Sequence, residues 1–149
     1  MKFVSNSLKE TQSIAQDFVS SLKLSGQNAT VVGLYGDLGS GKTSFTQGLA
    51  KALGVDENIT SPTFVIEKIY DLSTLNSHTP NFNFLIHIDA YRLERSEELL
   101  HLGWQEIISD KNNLILIEWP ERVENIMPQH IKISFKTLEG ENSREIDIE

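Results

Sequence analysis

Eight consecutive residues, Gly36-Asp37-Leu38-Gly39-Ser40-Gly41-Lys42-Thr43, carry the most specific chemistry in the chain. Their spacing is that of a phosphate-binding loop, G-x-x-x-x-G-K-[ST]. Glycine permits backbone conformations closed to other residues, so consecutive N–H groups can converge on one anion. Lys42 sets a point charge against the outer phosphates. The Thr43 hydroxyl suits Mg²⁺, an ion that keeps most of its waters and takes few protein ligands. Two more candidates are acids that close apolar runs: Asp89 after Phe82 to Ile88, and Glu118 after Leu114 to Ile117. Phosphate-loop enzymes commonly hold a carboxylate at a strand end for Mg²⁺, directly or through water. The residues alone leave open which acid does so. The histidines His78, His87, His101 and His130 lack metal-site spacing. His87 is placed to share the site of Asp89, for a structural hydrogen bond or for catalysis. Arg92 and Arg95 could reach phosphate, but surface arginines usually do not.

These groups need elements to hold them. Ala29 to Tyr35 is a short apolar, β-branched run that reads as a buried strand. After the loop, Phe45, Leu49, Ala50 and Leu53 recur at helical spacing, and Gly54 can end that helix. A helix starting near Lys42 aims its positive end at the phosphates. Upstream, Ser7-Leu8-Lys9-Glu10 matches a capping box. It opens a helix with a stripe of Leu8, Ile14, Ala15, Phe18, Val19 and Leu22, ending near Leu24 to Gly26. Further strands are expected at Phe64 to Tyr70, Phe82 to Asp89 and Leu114 to Glu118, with a polar loop over Asp71 to Asn81. Ser96 caps a short helix reaching Leu102, which Gly103 interrupts and Trp104 to Ile108 resumes. Trp119 to Val123 is a loop leading to another short helix. The alternation of Ile131, Ile133 and Phe135, then Ile146 and Ile148, marks an antiparallel hairpin with one buried face. The expected fold is three-layer α/β: a mostly parallel sheet, helices on both faces, and antiparallel strands at an edge.

The segment Ile59-Thr60-Ser61-Pro62-Thr63-Phe64 admits two readings. It is a strand entry whose hydroxyls cap local turns, or a loop near the terminal phosphate. Composition narrows the rest. At 149 residues the chain reads as one domain over 1–149. It has no apolar run of about 18 residues, so no membrane span is expected. There is no cysteine, hence no disulfide and no thiolate zinc site. Residues 1–6 lack the apolar stretch of a signal peptide, and a cytoplasmic location is the expectation. A formal net charge of −8 disfavours tight binding to nucleic acid by this chain alone.

Four ordered blocks resemble the TsaE (YjeE) family of bacterial P-loop ATPases. They are Gly36 to Thr43; Ser61-Pro62-Thr63-Phe64 with Tyr70; His87-Ile88-Asp89-Ala90-Tyr91-Arg92-Leu93; and Ile117-Glu118-Trp119-Pro120-Glu121. The likeness covers roughly Ser7 to Phe135. Ser40 stands where the family more often has Ala. The resemblance implies Mg²⁺-dependent ATP hydrolysis, weak alone and coupled to the partners TsaB and TsaD. Those partners carry the threonylcarbamoyl modification of tRNA adenosine, so tRNA would be met only indirectly. It implies that Asp37, Leu38, Gly39, Ser40, Gly41, Lys42, Thr43 and Ser44 hold ATP, with Trp119 close by. Thr43 and Glu118 would hold Mg²⁺. Asp89 would orient the attacking water, with Lys42 as the second catalytic group, and Thr60 to Thr63 would sense the terminal phosphate. The runner-up is a small-molecule kinase, but the segment after Arg92 is too short and acidic for an arginine-bearing lid. A GTP switch is weaker. Asp110-Lys111-Asn112-Asn113 is not a guanine-reading motif, and Arg92 stands where a switch loop needs glycine. A nucleotide-sensing module without turnover is the third class.

Overall fold

The computed structural model describes residues 1–24, 26–57, 59, 66–73, 82–140 and 142–149. In chain order it contains β1 (Lys2–Ser5), α1 (Leu8–Ser21), β2 (Thr30–Tyr35), α2 (Lys42–Ala52), β3 (Glu67–Asp71), β4 (Phe84–Asp89), α3 (Ser96–Leu100), α4 (Trp104–Ile108), β5 (Asn113–Glu118), a 3₁₀ segment (Pro120–Ile126), β6 (Ile131–Thr137) and β7 (Arg144–Ile148). The strands form one sheet in the order β1-β7-β6-β2-β5-β4-β3. The centre, β6-β2-β5-β4, is parallel. Both edges are antiparallel, with β3 on β4 at one side and β7 and β1 beyond β6 at the other. The fold is therefore the expected three-layer α/β arrangement, with antiparallel strands at two edges where one was expected.

Alternation along the strands sorts the core into two layers. Val32, Leu34, Leu85, Leu114, Leu116 and Ile133 pack against Phe18, Phe45, Leu49 and Leu53 of the α1 and α2 side. Val31, Ile86, Ile88, Ile115 and Ile117 pack against Leu99, Trp104 and Val123 on the opposite face. β2, β4 and β5 are buried on both faces, which is why they read as continuous apolar runs. Parallel alignment also brings the C-terminal ends of β2, β4 and β5 to one border of the sheet, where α/β proteins bind ligands.

Several elements depart from the sequence expectation. β1 is unforeseen: its side chains alternate weakly, with Val4 exposed and Ser5 buried, and it forms only by pairing with β7. Ser5 Oγ meets Thr11 Oγ1 at 2.7 Å, so Thr11 joins the buried face of α1 while Leu8 stays exposed. Ser7 caps α1 as expected, accepting from the Glu10 N–H at 3.1 Å. That helix ends at Ser21, short of Leu24. Ser20 and Ser21 turn their hydroxyls back onto the carbonyls of Gln16 and Phe18, a bond that competes with continued helix. The expected Ser96 cap is corrected: Ser96 is the first helical residue, Arg95 precedes it without a side-chain cap, and the Ser96 hydroxyl donates to Asn125 Oδ1. The expected readings of Thr60 to Thr63, and of 74–81 with His78, lie outside the described residues.

α1 and α2 cross at Gly48. A Cβ there would lie 2.7 Å from Gln12 Cα and 2.9 Å from Gln12 O, both backbone atoms. Gly48→Ala is therefore expected to destabilise the fold by about 1–3 kcal/mol, although alanine is the better helix former by roughly 1 kcal/mol. Urea unfolding midpoints check this, and an unchanged or raised midpoint would contradict the close crossing.

Candidate phosphate-binding and catalytic site

The loop between β2 and α2 is seated from below. Gly36 has φ +149°, and a Cβ on it would come within 2.7 Å of Ser40 Oγ and 2.8 Å of Phe135 O on β6. Only a residue without a side chain turns the chain there. Asp37, Leu38 and Gly39 are exposed, and Leu38 projects from the tip. Ser40 is buried, and its hydroxyl has no hydrogen-bond partner among the described residues. The hydroxyl is packed beneath Gly36, which leaves the backbone of Ser40 as the part that could face an anion. Thr43 and Ser44 lie half-buried in the first turn of α2, and Thr46 Oγ1 donates to Lys42 O at 2.9 Å.

Lys42 is 5% exposed. Its ammonium donates to Gly36 O at 2.5 Å and lies 3.8 Å from the centre of the Trp119 ring. Burial lowers its pKa, while the carboxylates of Glu118, Glu121, Asp89 and Asp37 pull it back up. A desolvated ammonium is a stronger partner for an incoming anion than a hydrated one.

Asp89 and Glu118 are register partners on β4 and β5, so their side chains leave the sheet on the same face. His87, two residues before Asp89, shares that face and lies 2.8 Å from Glu118 by its Nε2 and the Oε2 of the acid. Both are buried. The sequence placed His87 near the site for a structural hydrogen bond or for catalysis, and the structure shows the hydrogen bond, to Glu118. Asp89 is less buried, and its Oδ1 accepts the Tyr91 backbone N–H at 3.0 Å. Burial raises the Asp89 pKa. The Tyr91 N–H opposes this rise, Glu118 adds to it, and His87 and Lys42 oppose it.

Trp119 has φ +60°, the positive φ of a non-glycine residue among those described. Such a conformation costs roughly 1–2 kcal/mol. Pro120 disfavours the right-handed helical region at Trp119, and the Arg122 N–H closes the following turn onto Trp119 O at 3.0 Å. The result leaves the Glu118 carboxyl at His87 and the Trp119 ring on Lys42. Thus the structure brings Lys42, Asp89, Glu118 and Trp119 to one end of the sheet.

The residues fit a nucleotide with its metal. The loop offers backbone and an ammonium, and Thr43, Asp89 and Glu118 are all oxygen donors, the kind that Mg²⁺ takes. Comparison with known proteins gives the family. Residues 5–146 match the family model described as threonylcarbamoyl adenosine biosynthesis protein TsaE. The chain belongs to the TsaE family. It is 40% identical over 137 residues to a Rickettsia typhi protein named tRNA threonylcarbamoyladenosine biosynthesis protein TsaE, covering 91% of this chain and 85% of that one. A Borreliella burgdorferi protein of the same name is 45% identical over 107 residues, or 70% of this chain and 72% of that one. The crystal structure of Bacillus subtilis YdiB superposes with a TM-score of 0.70 at 31% identity, covering 98% of this chain and 82% of that one. No helix among the described residues of this TsaE-family chain is long and apolar enough to cross a membrane.

One site residue escaped sequence reasoning. Arg144 on β7 donates from Nη2 to Gly39 O at 3.2 Å, and its Cγ lies 3.6 Å from the position a Gly41 Cβ would take. It lies about a hundred residues along the chain from the loop it touches, and no local pattern marks it. Only the strand order puts it there.

The Asp89 shift has a testable sign. An ordinary aspartate titrates near 3.9, and burial raises this one in the fold. The ionised group then costs stability above its folded pKa, and the cost disappears below about 3.9, where folded and unfolded chains are both protonated. Asparagine keeps an acceptor for the Tyr91 N–H and carries no charge. Asp89→Asn is expected to melt higher than the parent at pH 7, with the advantage shrinking as pH falls through the raised folded pKa and gone below about 3.9. Melting curves across pH decide it. A variant that melts lower at pH 7 would show that the contacts of the carboxylate outweigh its burial.

Proposed function

We propose that this TsaE-family chain is a Mg²⁺-dependent ATPase that acts with TsaB and TsaD in the threonylcarbamoyl modification of tRNA adenosine. The observation that carries the reading is the meeting of Lys42, Asp89 and Glu118 at the mouth of a glycine-built phosphate loop. The names of the TsaE relatives supply the pathway.

In this reading the backbone of residues 39–44 cradles the phosphates of ATP, and Lys42 balances the charge of the outer ones. Thr43 and Glu118 would hold Mg²⁺, which neutralises charge on the phosphate oxygens when bound. The Asp89 carboxylate, oriented by the Tyr91 N–H, holds the attacking water in line. His87 keeps Glu118 from swinging away. Partner coupling fits the acidic chain, which then need not grip tRNA itself.

The test is ATP hydrolysis by the purified chain with Mg²⁺, alone and with TsaB and TsaD. Slow release of phosphate alone and faster release with both partners is the expected result. No hydrolysis under either condition would refute the ATPase, and ATP consumption only with an added small acceptor would point to a kinase.

Trp119 provides a second check. Trp104 is fully buried on the far side of the sheet, with its indole N–H bonded to Ile126 O at 3.1 Å. Trp119 lies against Lys42. Nucleotide is expected to change tryptophan emission, and Trp119→Phe should remove nearly all of that change. A change that persists in Trp119→Phe would move its source to Trp104 and take Trp119 out of the site.

A further inference from the structure

Four side chains form a continuous stack from the phosphate loop to the surface. Lys42 Nζ lies 3.8 Å from the centre of the Trp119 ring. Tyr91 also neighbours that ring, at a centroid distance of 5.0 Å and an interplanar angle of 52°. The Arg122 guanidinium lies over the Tyr91 ring at 5.5 Å, within the range of a cation–π contact. One backbone bond joins two of these residues, the Arg122 N–H to Trp119 O, and the Tyr91 N–H donates to Asp89 Oδ1 beside the stack.

We propose that Tyr91 is a positioning residue that holds the Trp119 ring over Lys42, with Arg122 fastening Tyr91 from outside. Trp119 sits in a backbone conformation that few non-glycine residues adopt. A strained residue persists only where its surroundings over-determine it; Trp119 packs against the core layer of Ile88, Ile117 and Val123, and the half-exposed Tyr91 ring adds the aromatic contact beside Lys42. Tyr91 itself is 40% exposed and outside both core clusters, so packing of the interior does not require a ring there. Tyr91 also spans the two halves of the site. Its N–H orients Asp89 while its ring reaches, through Trp119, to Lys42. A tilted aromatic pair and a cation over a ring face are both geometries of net attraction. The stack stands on these contacts alone; its consequence for nucleotide rests on the function proposed above.

The experiment compares Tyr91→Ala, Tyr91→Phe and Arg122→Gln with the parent chain, each checked for a parental circular-dichroism spectrum. Two readouts need no nucleotide. One is acrylamide quenching of Trp119, obtained by difference from Trp119→Phe. The other is the rate at which acetic anhydride acylates Lys42, followed by mass spectrometry. Tyr91→Ala is expected to raise both severalfold, Arg122→Gln to raise both less, and Tyr91→Phe to keep the parental values because the ring remains. The third readout is ADP binding without Mg²⁺, which Tyr91→Ala should weaken about 3- to 10-fold, the range of one aromatic contact. Parental quenching and acylation in Tyr91→Ala would overturn the proposal. So would increased quenching with unchanged acylation, since the ring would then not act on Lys42. If the parent binds no ADP, the nucleotide reading falls, and the first two readouts still decide the stack.

Discussion

Lys42→Ala is expected to abolish ATP turnover and to weaken nucleotide binding by about 2–5 kcal/mol, the usual cost of removing one partner of a buried charge pair. That range corresponds to roughly 30- to 5,000-fold in Kd. The size of the effect follows from where the ammonium sits. It is nearly inaccessible, bonded to Gly36 O and covered by the Trp119 ring. Its attraction to a phosphate is therefore little screened by water. The same burial means that the fold gains little from the charge, because burial is the largest influence on its pKa and disfavours the ammonium. The variant should therefore melt close to the parent. Calorimetric titration with nucleotide, phosphate release and a melting curve together test this. Hydrolysis at the parental rate would exclude the phosphate loop as the working site. Loss of binding with a collapsed melting temperature would make the lysine a structural residue.

The second large effect separates the two strand-end acids. Asp89→Asn is expected to bind Mg²⁺–ATP near normally yet to hydrolyse it about 10²–10⁴-fold more slowly with partners present, the range of general acid–base assistance. A group that orients water contributes mainly as the transition state forms, so kcat falls while ground-state binding stays. Glu118→Gln is expected to lose metal-dependent affinity along with turnover, because the charge that offsets Mg²⁺ is gone. The structure gives a reason for this division. Glu118 is the deeper of the two and is held by His87, as a metal ligand is commonly held by a neighbour. Asp89 lies nearer the opening and is oriented by the Tyr91 N–H. Measuring ATP affinity with and without Mg²⁺, beside kcat, gives the answer. If Asp89→Asn loses Mg²⁺-dependent binding while Glu118→Gln retains it, the roles are reversed and the ATPase reading stands. If both variants keep affinity and rate, neither acid serves the reaction. The expected thermal gain of Asp89→Asn at pH 7 belongs with this result, because a buried charge kept for chemistry is often a cost to the fold.

What the amino-acid order determined by itself was everything set by neighbours a few residues apart. The phosphate loop is eight adjacent residues, and the strand before it and the helix after it are legible because apolar side chains repeat every second, or every third and fourth, residue. The strand-end positions of Asp89 and Glu118 follow from the same runs. The tertiary structure decided the rest, because it depends on strand order. β1 has too weak an alternation to declare itself and exists through β7. Arg144 reaches Gly39 because β7 lies beside β6, and β6 beside β2. The end of α1 was settled by two serine hydroxyls competing for helix carbonyls, where the apolar stripe alone ran on. Ser96 looked like a cap by position but found Asn125 across the fold. His87 meets Glu118 because β4 and β5 run parallel in a register that puts both on one face. Trp119 covers Lys42 because a turn with positive φ redirects the chain after β5. Each of these contacts joins residues distant in the chain or depends on a backbone angle, and neither leaves a period that a linear pattern can carry.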